Sequence, residues 1–335
     1  MTILISRLSA LGDVAISVPI IQQLHLLNPS AKIVFVTKRN NCQLFENLNF
    51  VEVFVPDFNA THKGIFGIFR LFIELNKKYS PDVYIDLHNV IRTQLLRLFF
   101  SLTGINTYNI DKGKIEKRKL IKRKNKNLKP LKTTYQRYID VFIKANFQIS
   151  TKSIPDYPII KSQKVDNLIK DNSFIVFAPF AAHSNKIYPV DKSYQLANLL
   201  SKKFIIYILG SGEREKQIVE KWQNQRIISL IGKFKLQEEI YLMSRSKAVL
   251  TMDSANMHLA ALTKTTIFSL WGPTHPYLGF IPFNRNNLVI VQKELFCRPC
   301  SVYGNKKCYI KTIECMNIEP QQISNIIFST LKIFD

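Results

Sequence analysis

The sequence predicts an α/β protein made of two doubly wound, Rossmann-like domains that face a central cleft. Three observations lead there. The stretch from Lys247 to Pro276 runs as strand, polar turn, short helix and strand. It has an apolar run at Ala248 to Leu250, a turn at Asp253–Ser254, a helical Asn256 to Leu262 and a second apolar run at Thr266 to Leu270. That is the βαβ grammar of a parallel sheet. The same alternation fills the first hundred residues or so and restarts at Ser173. Finally, 335 residues exceed one typical hydrophobic core and suit two.

In chain order, Thr2 to Ser6 reads as a buried strand, residues 7–13 as a loop, and Val14 to Leu27 as a helix. Val14, Val18, Ile21 and Leu24 give that helix its apolar spacing, and Pro19 lies early in it, where it bends the helix axis. Lys32 to Val36 and Val51 to Val55 are further strands. Gly64 to Tyr79 is a very apolar helix, assigned mostly to core, with a membrane-facing patch as the alternative. Asp82 to Asp86 is a strand, followed by Leu87-His88-Asn89 and an amphipathic helix from Val90 to Phe100. Residues 111–132, DKGKIEKRKLIKRKNKNLKPLK, are heavily basic with little apolar periodicity, so they read as a surface loop or frayed helix. A helix from Thr133 to Ala145 follows, and the Pro-bearing stretch 148–172 is the linker.

The second half opens on a strand at Ser173 to Phe177 and a helix at Lys192 to Leu200. A strand at Phe204 to Leu209 ends in Gly210-Ser211-Gly212-Glu213, and helices follow at Glu215 to Trp222 and Leu236 to Ser244. The last helix, Pro320 to Ile333, repeats Ile323, Ile326, Ile327, Leu331 and Ile333 on one face. The expected division is a first domain at 1–155, a second at 156–318 and a closing helix at 319–335.

Composition excludes several classes. Apolar content of 46% and charged content of 21% describe a globular chain, not a disordered one. No stretch gives about 18 apolar residues free of charges or helix breakers, so no membrane-spanning helix is expected. The apolar N-terminus lacks a leading basic region, and Asp13 interrupts it, so it reads as strand, turn and helix in preference to a signal peptide. These readings predict a cytoplasmic protein, peripheral on the inner face of the membrane. The formal charge of +23 attracts polyanions: nucleic acid, anionic lipid or a phosphorylated glycolipid. No helix-turn-helix, RNP or zinc-finger signature accompanies it, so no specific nucleic-acid partner is expected. Cys42 stands alone, whereas Cys297, Cys300, Cys308 and Cys315 cluster and read either as a structural zinc site or as free thiols.

Several residues lie at strand ends, where parallel sheets bind ligands. Asp253 and Ser254 read as helix caps or as an anion site. Asp13 reads as a general base or a helix cap. Lys186, one lysine among many, reads as a phosphate contact or solvated surface. Glu213 and His258 carry similar double readings, as ribose or donor contacts against first-turn helix stabilisation and a satisfied core histidine.

Two motifs bear on several of these pairs by resemblance. Asp253-Ser254-x-x-Met257-His258-Leu259-Ala260-Ala261, followed by a strand and Trp271-Gly272-Pro273-Thr274-x-Pro276, resembles the donor-site signature of the heptosyltransferase family, glycosyltransferase family 9. Arg7-Leu8-Ser9-Ala10-Leu11-Gly12-Asp13-Val14 resembles that family's N-terminal signature, and the order of the pieces fits nearly the whole chain. The resemblance implies the GT-B architecture, with an acceptor-binding first domain, a donor-binding second domain and a final helix crossing back to the first. It implies inverting transfer of a heptose from ADP-heptose to the lipopolysaccharide inner core. The acceptor is then a phosphorylated glycolipid at an anionic membrane, which Lys112 to Lys132 would approach. Asp13 is the implied base, and Arg7 and Gly12 are implied acceptor or phosphate contacts. Ser184-Asn185-Lys186-x-x-Pro189 resembles the family's Ser-x-Lys-x-Trp-Pro, with Tyr188 in place of Trp, and makes Lys186 the diphosphate clamp with Ser184 beside it. Asp253, Ser254 and Ala255 are the remaining implied donor contacts, while Glu213 and His258 keep both readings, donor contact or structural residue. The family usually carries Gly at the position of Ala255, which leaves open another nucleotide-activated hexose as donor; a nucleotide-sugar epimerase of the same architecture is the other alternative. No Asp-x-Asp pair is placed to hold a divalent metal, so no cofactor is expected for transfer.

Overall fold

The computed structural model describes residues 1–124, 126, 128–150, 154–170, 172–283, 286–310 and 312–332. The chain forms two compact units: Met1–Lys112 with Thr134–Pro158, and Gly113–Thr133 with Ile159–Asp335.

The first unit holds β1 (Thr2–Ser6), α1 (Leu11–Leu27), β2 (Lys32–Val36), β3 (Val51–Phe54), α2 (Gly64–Tyr79), β4 (Val83–Asp86), α3 (Ile91–Leu102) and β5 (Asn106–Asn109). Its sheet is all parallel, in the order β3-β2-β1-β4-β5. Continuous apolar runs fit β1 and β2 because their central positions are buried on both faces. Helices α2 and α3 pack side by side, with Ile68, Leu71, Phe72, Leu96 and Phe100 in the core beneath them.

The basic segment supplies α4 (Lys114–Leu120), which belongs to the second unit, and α5 (Thr134–Lys144) returns to the first. The second unit continues with α6 (Gln163–Ile169), β6 (Phe174–Ala178), α7 (Val190–Ser201), β7 (Ile205–Ile208), α8 (Glu213–Val219), β8 (Ile227–Ser229), α9 (Leu236–Arg245), β9 (Ala248–Met252), α10 (Ala255–Ala260), β10 (Thr266–Trp271), β11 (Leu288–Gln292) and α11 (Pro320–Thr330). Its parallel sheet has the order β11-β10-β9-β6-β7-β8. In each sheet the winding reverses at one point, between β1 and β4 in the first and between β6 and β9 in the second. Crevices at the carboxyl ends of such strand pairs are where doubly wound sheets bind ligands.

Four expectations need correction. The basic stretch is not an unpacked loop. Lys117 and Leu120 are buried, the Lys117 ammonium sits 4.2 Å from the Phe280 ring centroid, and Lys126 donates to Pro299 O at 2.8 Å. The stretch 148–172 is not all linker, since Ser162 caps α6 and Val165 and Ile169 are buried. Helix α11 packs on α7, with Ile323 and Ile327 in the second unit's core, so its apolar face is used there and it does not form a segment apart; Ile333 lies outside the described residues. Helix α1 begins at Leu11, earlier than the sequence suggested, and runs through Pro19. Among the described residues no helix is long and apolar enough to cross a membrane.

Candidate active site

In the first unit the expected residues converge at the carboxyl ends of β1 and β4. Arg7 leaves β1 and is buried; it forms an ion pair with Asp13 and donates from Nη1 to Leu87 O at 3.0 Å. Asp13 lies in the first turn of α1, but Ala10 is the N-cap residue. The capping role open to Asp13 in the sequence therefore falls to a different position. A carboxylate in a first helical turn is favoured by the helix dipole, and an arginine partner favours its ionised form. Burial works against the charge on Arg7, but Asp13, Tyr138 and Asp86 hold its pKa above the usual arginine value. Gly12 is buried in the same turn.

Sequence reasoning passed over the partners of this pair. Asp86 ends β4, is fully buried, and accepts from the backbone N–H groups of His88 at 2.8 Å and Asn89 at 2.7 Å. Burial pushes its carboxyl up, against those two bonds. Burial, then Arg7 and Lys112, hold His88 down to about 3, so its imidazole is neutral near pH 7. The only sequence signal for this cluster was Leu87-His88-Asn89 directly after a strand.

In the second unit Lys186 and Asp253 meet. Lys186 ends a short 3-10 turn, Ser184–Lys186, after β6, and Asp253 follows β9. Because β6 and β9 are paired, with Ala178 opposite Thr251, the loops leaving them are neighbours. Lys186 Nζ lies 2.9 Å from Asp253 Oδ2, and Thr274 Oγ1 donates to the same oxygen at 2.7 Å. Thr274 belongs to the Trp-Gly-Pro-Thr turn after β10, so both halves of the donor motif touch one carboxylate. Gly304, at φ +79°, lies against the Lys186 stem, where a Cβ would come within 2.4 Å of Lys186 Cγ. Buried Arg298 holds the motif turn, donating to Gly272 O at 2.5 Å and Thr274 O at 3.1 Å.

The other expected donor residues are less tightly held. Ser184 is exposed beside Lys186. Ser254 precedes α10 and shares a hydroxyl contact with Thr251 at 3.2 Å, Ala255 opens that helix partly exposed, and His258 is buried within it. Glu213 is exposed at the start of α8, 3.8 Å from Lys216, whereas Glu215 turns back to accept from Ser211 N–H at 2.6 Å. Tyr188 is a core residue, buried and donating to Ile318 O at 2.5 Å.

The zinc expectation is not met. Cys297, Cys300, Cys308 and Cys315 line one apolar cavity of about 170 Å³, yet among the described residues no three His, Cys, Asp or Glu side chains converge as a metal site. The thiols point to other partners: Cys308 donates to Thr312 O at 3.0 Å and Cys300 to Pro273 O at 3.7 Å. Burial pushes Cys300 up and Cys315 to about 12.

The family model described as glycosyltransferase family 9 (heptosyltransferase) matches residues 68–310, a span that holds the second-unit cluster and begins after Asp13. The chain is 28% identical over 151 residues to lipooligosaccharide heptosyltransferase 2 of Campylobacter jejuni, a match covering 42% of this chain and 46% of that protein, less than half its length. A glycosyltransferase family 9 structure from Veillonella parvula superposes with a TM-score of 0.76 at 20% identity, covering 98% of this chain and 97% of that one. The ADP-heptose lipopolysaccharide heptosyltransferase II of E. coli superposes with a TM-score of 0.71 at 18% identity, covering 99% and 98%. These likenesses show the fold, two parallel-sheet units of the GT-B class.

Proposed function

The chain belongs to glycosyltransferase family 9, the heptosyltransferases, and from that premise we propose that it moves a heptose from ADP-heptose to the inner core of a lipopolysaccharide, with inversion and without a catalytic metal. The first domain would take the acceptor and the second the nucleotide sugar. Asp13 accepts the proton of the acceptor hydroxyl as that oxygen attacks the anomeric carbon. The departing diphosphate takes the electrons of the broken bond, and Lys186 neutralises its charge. Ser184, Ser254, Ala255, Glu213 and His258 complete the donor contacts, and Arg7 and Gly12 hold the acceptor side. The reading has the enzyme working in the cytoplasm at the inner membrane face, where the exposed part of the basic segment, including Arg118, Lys119 and Lys122, meets anionic headgroups.

The observation that carries this proposal is the Lys186–Asp253–Thr274 cluster, because it joins three separated parts of the donor motif at one sheet position. With Asp253 already opposite it, Lys186 is held in place before any diphosphate arrives, which lowers the ordering cost of binding.

The test is thermal shift with a panel of nucleotides, because a ligand that binds only the folded state raises its melting temperature. ADP should stabilise the parent more than UDP or GDP does. Lys186→Ala should lose most of that shift, and its turnover should fall by about two to three decades. Equal stabilisation of parent and variant by ADP would remove Lys186 from the donor site.

A further inference from the structure

Helices α2 and α3 cover one face of the first sheet, and each is apolar on both sides. The inner side fills the core. The outer side carries Phe66, Phe69 and Ile73 on α2 and Ile91, Leu98 and Leu102 on α3, all exposed. Their spacings, i, i+3, i+7 and i, i+7, i+11, place each set on a single helix stripe. Phe66 is 88% exposed, and Ile91 and Leu102 are each 76% exposed, so these side chains stand clear of the fold. The two stripes are joined, because Phe69 packs edge-on against Phe99 with ring centroids 5.3 Å apart. Scattered exposed apolar residues are ordinary, but a continuous two-helix apolar face marks an interaction surface.

Charge identifies the occupant. Lys63, Arg70, Lys77 and Arg92 are exposed on or beside these helices. Within α2 and α3 five Arg or Lys residues stand against one acid, Glu74, and that acid is 3.0 Å from His62. An apolar stripe rimmed by cations fits a surface that is apolar below and anionic above. A second copy of this chain fits badly, since pairing this face with itself would bring like charge against like charge on molecules of formal charge +23.

We propose that the outer face of α2 and α3 docks in the plane of an anionic lipid bilayer, with its apolar stripes at the headgroup–acyl boundary and Lys63, Arg70, Lys77 and Arg92 among the lipid phosphates. This contact lies on different residues from the basic segment around α4, and it joins apolar insertion to charge, the pair of signals that stable peripheral binding requires. It does not depend on the proposed transfer reaction.

The experiment is co-sedimentation of the full chain with vesicles of phosphatidylglycerol and phosphatidylethanolamine, and separately of phosphatidylcholine. The parent should partition to the anionic vesicles and hardly to the zwitterionic ones. Phe66→Gln/Ile91→Gln/Leu102→Gln should lower that partition by about tenfold or more. Arg70→Gln/Lys77→Gln/Arg92→Gln should weaken binding to the anionic vesicles, and added salt should mimic that loss. Thermal stabilisation by ADP should be the same in both variants as in the parent, so failure of docking and failure of the donor assignment are read separately. A Phe66→Trp variant, whose emission should be quenched by lipids carrying a shallow nitroxide, checks insertion without removing apolar surface. Parental partition of the apolar triple variant, or no quenching at position 66, would overturn the proposal. So would light scattering that shows a dimeric parent and a monomeric triple variant, because a second copy would then cover the face.

Discussion

Lys186 shows how a single position can be fixed by residues far from it in sequence. Its stem lies under Gly304, whose φ of +79° disfavours any side chain and whose missing Cβ leaves the room that the lysine fills. Gly304→Ala should therefore destabilise the fold by about 1–2 kcal/mol and also weaken ADP binding, both measurable in one thermal-shift titration. The identity of Lys186 was legible from its motif, but its partner was not. Asp253 and Lys186 meet only because β6 pairs with β9, and strand adjacency of that kind is not written in local spacing. The same holds for Arg298, a buried tie for the Gly272–Thr274 turn that no motif marks. A second residue-scale prediction concerns pH. Burial pushes the Glu239 carboxyl from 4.5 up to about 7. Between those values the folded chain binds a proton that the unfolded chain has released, so this group's contribution to stability is present in acid and lost as pH rises through about 7. Glu239→Gln should leave stability unchanged near pH 4 and raise it by up to about 3 kcal/mol near pH 8, read by denaturant melts at the two pH values.

Elements were legible where burial leaves a repeating trace. β1, β6, β9 and β10 are short apolar runs because their interior positions face protein on both sides, and their places in the sequence match the structure to within a residue or two. β5, with the sequence Asn-Thr-Tyr-Asn, is a polar edge strand, and β8 spans three residues, so neither carries that trace. Helix α4 was legible only as one of two alternatives, surface loop or frayed helix, for a related reason: one buried lysine and one buried leucine make too short a pattern to register as periodic. Its packing changes what its cations do. Lys117 against Phe280 and Lys126 against Pro299 O are structural, whereas Arg118, Lys119 and Lys122 face outward. Lys117→Gln/Lys126→Gln should cost about 1–3 kcal/mol of stability. Arg118→Gln/Lys119→Gln/Lys122→Gln should cost almost none and should act only on binding to anionic surfaces. Circular-dichroism melts of the two variants separate these roles.

At the scale of the whole molecule, two parallel sheets each place charged side chains at the point where the winding reverses, and the two clusters differ in kind. The first is a carboxylate held by a buried arginine. The second is a lysine held by a buried carboxylate. The net charge of +23 adds an attraction to polyanions that should be strong at low salt and indifferent to sequence. Gel shifts with unrelated nucleic acids should therefore give similar affinities that all collapse as salt rises toward a few hundred millimolar. The central claim is that Asp13 is the general base, and the most direct measurement compares heptose transfer by Asp13→Asn and by the parent. The substitution keeps the side chain's size and an oxygen facing Arg7 but removes its basicity. The account predicts that the variant still folds, still gains stability from ADP, and transfers about two to four decades more slowly. A folded variant that transfers heptose at the parental rate would contradict it.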